Sequence, residues 1–540
     1  MKRFCSILVF MLAVLQLFAS TYRVRSYSFD VKGKTKTASL LEFVDSRDKE
    51  EDKTFESLEG LEGFLNDKKQ QLVNKRFFHN VEYTYELQET SPDVFDADVV
   101  FHVVDASTFL IVPYPKYDSN YGMSLKLKAK DSNFLGTFTT LDSSLAFTQR
   151  NNTFRDGKLE WDFSVDAMRL GNAKLSFAHS GAMDFYTWTD TFLGGSVNIS
   201  EVRFWDVSVN GSFSFKFAPK GAEKDSRWGG KELSSSVGIS FLNPKLNKAS
   251  ATNTIKYTFS NGKFETTTTF SYLYDSRLGI KGSSSFETVQ YGFENGLYYF
   301  ILGTGASKSF TFFKKLSFTP SFWFYLKFTV PSEDFDPYPT LTLPFSFGRI
   351  DWVGDNNFRK GLMFNIKAVD EIHILYGKDE RHKLKLTGNV QANYPVTSWF
   401  NPSARLDFIL ASEEQEINKD NVYSWNMRGI RDANATINKY RNIAMTFNLD
   451  LMFNFIKIGD FCRTYAIAFS DMFVGSNADG SFDSLVTVGA EGIVILNSHP
   501  GYPIRGSLGV NADHLIKVMK GEMSLKEMEY ELYIGLYFFY

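Results

Sequence analysis

Cysteine is nearly missing from this chain: Cys5 and Cys462 are the two in 540 residues. Cys5 falls in an N-terminal stretch that reads as a cleaved leader. The mature chain is then expected to keep one thiol, which excludes an internal disulfide and a cysteine-built metal site. Long apolar runs are scarce too. Beyond the leader, no segment offers the ~20 apolar residues a spanning helix requires. Charge of one sign is also lacking. Lys+Arg 59 against Asp+Glu 62 leaves a net charge of -3, which gives no case for nucleic-acid binding. The histidines, His79, His102, His179, His373, His382, His499 and His514, show no ligand-like spacing, and no G-x-S-x-G, P-loop or H-E-x-x-H run occurs. No metal, cofactor or enzymatic activity is expected, although barrel hydrolases assemble their sites from scattered residues. Gly303-Thr304-Gly305 sits inside an alternating strand and reads as packing rather than a phosphate cradle.

What is plentiful is aromatic: Phe 54, Tyr 26 and Trp 8, with glycine also common. A membrane protein of polar average is what a closed barrel permits, since only alternate residues face lipid. Residues Tyr530 to Tyr540 carry that pattern. Tyr530, Leu532, Ile534, Leu536, Phe538 and Tyr540 take every second position, as a lipid-facing barrel strand should. An open sheet edge cannot sit in hydrocarbon, so such a strand implies many others closing on it. At the other end, Lys2 and Arg3 precede the apolar run Cys5 to Phe18, followed by Ala19 and Ser20. This is the layout of a secretory leader.

Two textures divide the remainder. Residues 22–108 are charged and mixed, and predict a small α+β domain of order β-α-α-β-β. Val24 to Val31 form a strand, Thr37 to Val44 and Phe55 to Val73 are helical, and strands Val81 to Leu87 and Asp98 to Val104 flank a turn at Pro92. Residues 109–540 alternate repeatedly. Met123, Leu125, Leu127 and Ala129 alternate with Ser124, Lys126, Lys128 and Lys130, and Phe213, Phe215 and Phe217 with Ser212, Ser214 and Lys216. The expected fold is mainly β: a transmembrane antiparallel barrel of roughly sixteen strands, preceded by the α+β domain. Ala411 to Arg441 is a long polar stretch holding Met427-Arg428-Gly429-Ile430-Arg431. Long loops in barrels are functional or disordered. Here the Arg-Gly pair reads either as a tight tip carrying a fixed cation or as a solvated arginine.

Several runs, in order, resemble the BamA/TamA superfamily of outer-membrane barrels with periplasmic POTRA domains. Leu72-Val73-Asn74-Lys75-Arg76-Phe77-Phe78-His79-Asn80-Val81 resembles the helix-to-strand step of a POTRA domain. Tyr121-Gly122-Met123-Ser124-Leu125 and Asp131-Ser132-Asn133-Phe134-Leu135-Gly136-Thr137 resemble the first barrel hairpin. Arg428-Gly429 resembles the VRGF/Y tip of the sixth extracellular loop, with Met427 and Ile430 at its flanks. Asn448-Leu449-Asp450-Leu451, Phe469-Ser470-Asp471 and Gly501-Tyr502-Pro503-Ile504-Arg505-Gly506 resemble the strands that follow, with Phe473 where the family has glycine. The chain leaves room for one POTRA-like domain, and a preceding lipase domain is not expected.

The resemblance implies a bacterial outer-membrane barrel, with its N-terminal domain in the periplasm, that inserts, assembles or translocates proteins. Its partners would be the lipid bilayer, unfolded clients, and periplasmic chaperones or accessory lipoproteins; no nucleic acid is implied. A dedicated secretion pore, a passive channel and a surface adhesin are the competing roles. Arg428 and Gly429 would anchor the loop in the lumen through Asp450, Asp471 or both. By alternation Asp450 points inward, while the parity of Asp471 is ambiguous, since it shares a face with Ile467 and Phe469 unless a bulge intervenes. The first and last strands would open sideways, with Gly535 kinking the last strand or simply tolerated there, and Phe538 and Tyr540 completing it. Lys126, Lys128 and Lys130 would line the first strand. Val24 to Val31 or Val81 to Leu87 would accept client strands at an open edge.

Overall fold

The computed structural model describes residues 20–45, 53–118, 122–150, 153–171, 173–185, 191–204, 207–217, 232–242, 247–258, 263–275, 283–294, 297–312, 316–330, 334–354, 357–375, 381–416, 427–428, 440–477 and 479–536. All of the expected leader except Ser20 lies outside them, as do Gly429, Phe538 and Tyr540. The chain forms two compact units. The first comprises Met1–Leu110, Lys130–Leu141 and Leu496–Tyr502; the second holds the remainder.

In the first unit, β1 (Thr21–Lys32), β2 (Thr54–Phe55), β3 (Phe78–Ser91) and β4 (Val94–Asp105) make a sheet of order β2-β1-β4-β3. β1 runs parallel to β4, and β3 antiparallel to it. Helices α1 (Thr37–Asp45) and α2 (Leu58–Val73) supply the other layer. Helix α2 starts three residues later than its apolar pattern predicts. Ser57 adopts extended backbone and accepts a hydrogen bond from the Gly60 N–H, which makes it the cap. Thr54 and Phe55 pair with β1 instead. Leu40, Val44, Leu61, Leu65 and Leu72 bury against Val81 and the alternate β4 residues Ala97, Val99, Phe101 and Val103. That alternation puts one face of β4 wholly in the core.

The remaining strands form a closed antiparallel barrel running from β5 (Phe109–Asp118) to β29 (Tyr530–Leu536), with β29 beside β5. Among the described residues, twenty-five strand segments make the ring. Three are three-residue pieces: β17 (Phe310–Phe312), β18 (Leu316–Phe318) and β21 (Asp351–Val353). They continue β16 (Leu297–Lys308), β19 (Ser321–Val330) and β20 (Asp334–Gly348) in the same register. Twenty-two staves remain, more than the sixteen expected. The difference arises where both faces are apolar. In β16, Tyr298, Phe300 and Leu302 point outward while Tyr299 and Ile301 are half-buried, so period-two contrast vanishes. Gly303 and Gly305 lie beneath neighbouring rings. A Cβ added to either would meet Tyr325 at 2.9 Å or Trp323 at 2.4 Å.

Outward residues such as Leu125, Leu127, Phe213, Val237, Phe300 and Leu508 are exposed and apolar, the wall a bilayer demands. Among the described residues, no helix is long and apolar enough to cross a membrane. The inner face carries buried polar groups. Arg405 Nε pairs with Asp407 at 2.6 Å, and Asn389 Nδ2 donates to Asp407 at 2.8 Å. The first stave is β5, so Lys126, Lys128 and Lys130 belong to the second, β6 (Gly122–Phe134). They lie on its half-buried face, opposite exposed Leu125 and Leu127, and Lys128 pairs with Asp142 at 3.2 Å.

Candidate functional site

β25 (Tyr440–Ile458) and β26 (Cys462–Ser476) build one wall of the candidate site. On β25, Thr446, Asn448, Asp450 and Met452 are buried while Met445 and Phe447 face outward. On β26, Tyr465, Ile467, Phe469, Asp471 and Phe473 share the buried face. Asn448 lies opposite Asp471, and the pairing runs without a shift from Ala444↔Gly475 to Asn454↔Tyr465. No bulge therefore turns Asp471; the inner face itself is apolar around it. Tyr465, Ile467 and Phe469 join Phe358, Met452, Ile493 and Ile495 in a buried cluster.

Arg428 enters this wall from the loop. The backbone N–H of Arg428 donates to Asp471 Oδ2 at 2.9 Å, and its Nε donates to the same oxygen at 3.0 Å. Its Nη2 donates to Asp471 Oδ1 at 2.7 Å and to Asp450 Oδ1 at 2.6 Å. The guanidinium carbon stands 3.9 Å from the centre of the Phe469 ring. Arg428 is 3% exposed, Asp450 4% and Asp471 0%. These are charge-assisted bonds in a shielded place, with an added cation–π contact. Either carboxylate was a possible partner from sequence; the structure brings both to Arg428. It also removes the solvated alternative for this residue.

Three further groups were not legible as site residues. Glu491 on β27 (Phe482–Leu496) lies 3.7 Å from Arg428 Nη1, and Arg505 on β28 (Ile504–Asn511) lies 3.2 Å from Glu491. Arg441 is a second buried guanidinium, where the chain enters β25. Its Nη2 pairs with Asp483 at 2.7 Å, and its Nη1 donates to the Ser476 carbonyl at 2.9 Å. Each charge sits on the inner parity of its strand, which is the signal that marks it. Among the described residues, no group of three or more His, Cys, Asp or Glu is set to hold a metal.

Gly535 lies opposite Arg505 in an unshifted β28–β29 ladder. The kink considered for it is not seen.

Within the first unit, the 130–141 and 496–502 segments bond to the α+β sheet and its connections. Asp131 accepts from Thr108 Oγ1 at 2.6 Å, Lys34 Nζ at 2.8 Å and the Asn133 N–H at 3.0 Å. Asn133 Nδ2 donates to Thr35 Oγ1 at 2.7 Å, and the Lys36 N–H donates to the Gly136 carbonyl at 2.9 Å. Phe138 is set among Phe43, Phe77 and Phe78. The Tyr502 hydroxyl donates to the Thr108 carbonyl and accepts from the Ser132 N–H at 2.9 Å. The Arg76 guanidinium donates to the Pro500 carbonyl. These two segments are the turns β6–β7 and β27–β28, where β7 is Thr139–Arg150.

No family model matches the chain, and no curated protein matches it. Solved structures give distant likenesses. BamA from Haemophilus ducreyi lacking POTRA domains 1-3 has 12% identity over 96% of this chain and 85% of that one, with a TM-score of 0.27. CdiB from Escherichia coli has 9% identity over 96% and 90%, with a TM-score of 0.31. The siderophore receptor PirA from Pseudomonas aeruginosa has 9% identity over 81% of each chain and a TM-score of 0.43. At these identities and TM-scores the likenesses decide neither family nor function.

Proposed function

We propose that this chain is a bacterial outer-membrane barrel that inserts, assembles or translocates polypeptides, opening sideways between β5 and β29. The observation that carries the reading is the loop anchor: Arg428 held by Asp450 and Asp471 on the inner wall. A loop fixed inside a barrel by desolvated charges is a built feature, since such pairs are costly unless fully satisfied. The α+β domain, whose two helices fall between β1 and the β3–β4 pair, is read as POTRA-like and periplasmic. Its strand β3 pairs only with β4 among the described residues, which leaves an edge for an added client strand. Chaperones or accessory lipoproteins would deliver clients there. The chain is read as a transporter and not an enzyme, with no cofactor.

Twenty-two staves among the described residues suit a second reading, a dedicated secretion pore. Barrels of this size enclose a wide lumen that must be plugged. Depletion separates the two. Loss of many barrel proteins from the outer-membrane proteome supports assembly, and loss of one exported protein supports secretion. An unchanged proteome and secretome overturn both.

A further inference from the structure

Glu491 stands between two guanidiniums, 3.7 Å from Arg428 Nη1 and 3.2 Å from Arg505 Nε. Their side chains are at most 8% exposed. Arg505 reaches on to the next stave, its guanidinium carbon 4.4 Å from the centre of the Tyr533 ring. Tyr533 belongs to β29, which closes the ring against β5. A continuous line of side chains thus runs from the loop, through β27 and β28, to the closing strand.

Charge makes the line cooperative. Two guanidiniums face the carboxylates of Asp450, Asp471 and Glu491 in a nearly dry place. Withdrawing one member leaves its neighbours buried and imperfectly compensated. Strand geometry adds the reach. Arg505 lies opposite Gly535, and Ser507 opposite Tyr533. Cross-strand partners share a face, as do residues two apart. Position 535 therefore shares the inner face with Arg505 and Tyr533, and as glycine it brings no side chain there. The guanidinium leans diagonally across that space onto the tyrosine ring.

We propose that Glu491 and Arg505 are positioning residues that make the hold on β29 depend on the loop anchor. Release of Arg428 frees Glu491 to turn wholly to Arg505, which draws the guanidinium off Tyr533 and loosens the seam. This rests on reading β5–β29 as the opening, but its test needs no client.

The test is amide hydrogen exchange on the full-length barrel in detergent. The probes are the amides of β29 and the Arg428 amide that donates to Asp471. Arg428→Met and Arg505→Met should each speed β29 exchange about tenfold, and the double variant should do no more than the larger single. Tyr533→Leu should speed exchange at Arg428, reciprocally, while Tyr533→Phe, which keeps the ring, should not. The Tyr533 pair lies outside the ion cluster, so it decides the matter where an arginine variant fails to fold. Wild-type β29 exchange in Arg428→Met, multiplicative effects in the double, or an unmoved Arg428 amide in Tyr533→Leu overturns the relay. A disulfide between β5 and β29 that leaves client handling intact would remove the transport reading and leave the relay standing.

Discussion

Asp471 holds Arg428 at three points, accepting from the backbone N–H at 2.9 Å, Nε at 3.0 Å and Nη2 at 2.7 Å. The backbone bond fixes where the loop chain runs, and the two side-chain bonds fix the plane of the guanidinium. Phe469 stacks on that plane at 3.9 Å. The aromatic ring that made the parity of Asp471 uncertain is thus part of its site.

Asp471→Asn should therefore do more than weaken one bond. It keeps the shape, removes a charge and leaves the guanidinium short of compensation in a buried place. Breaking one side of a buried pair costs ~3–5 kcal/mol, and the shielding of Arg428 places the loss in that range. Denaturant unfolding in detergent and heat-modified gel mobility should report it, together with faster proteolysis of the loop. Arg428→Asp should be worse, and Asp471→Arg combined with it should recover part of the loss. Unchanged unfolding and loop protection in Asp471→Asn would remove the anchor.

Asp450 was legible because alternation between Leu449 and Leu451 turns it inward, whereas Arg428 was marked as an anchor by the resemblance, its loop tip alone leaving a solvated arginine open. Glu491 and Arg505 were not, because their meeting depends on which staves stand side by side. Sequence periodicity gives facing, not neighbours. The stave count failed for a related reason. Where aromatic residues line the inner face as well as the outer, as in β16, alternation carries no contrast. The α+β domain was readable because its helices and half-buried strands keep distinct periods of apolar residues.

Gly136 occupies a turn with φ +72°, and a Cβ there would come within 2.0 Å of the Lys34 carbonyl oxygen. Gly136→Ala should strain the backbone by ~1–3 kcal/mol and break the bond from the Lys36 N–H to its carbonyl. Exchange at the Lys36 amide should rise sharply while the β25 and β26 amides stay protected. Equal Lys36 exchange in Gly136→Ala and the wild type would show that the turn yields without cost.

Phe138 is supplied to the core of the first unit by the β6–β7 turn, among Phe43, Phe77 and Phe78. A fragment of residues 20–108 should therefore fold cooperatively but with that aromatic face uncovered. It should bind a hydrophobic dye and melt below the same domain in the full chain. Phe138→Ala in the full chain should cost ~2–3 kcal/mol. That is less than the ~3–5 kcal/mol of a fully buried phenylalanine, since Phe138 is partly buried. A fragment as stable as the intact domain would make the turn a bystander.

The last prediction concerns the weakness of the seam. β5 contains Pro113 and Pro115, and proline has no N–H to give. Residues two apart on an antiparallel strand direct their backbone groups to the same neighbour. Which neighbour follows from the strand's start. The Thr108 carbonyl accepts from the Ser132 N–H at the β6 end, whereas the Phe109 carbonyl faces His499 Nε2 at 3.1 Å. Even-numbered residues of β5 thus address β6, which by alternation leaves the odd-numbered ones for its other neighbour in the ring, β29. Both missing donors fall on the seam, where an edge can spare them. Pro113→Val with Pro115→Val should return two ladder bonds, each worth ~0.5–1.5 kcal/mol net. Exchange at β29 should slow, exchange at β6 should not change, and client handling should fall as the seam tightens. If β6 slows instead, the prolines face the other stave, and the seam owes its looseness to something else.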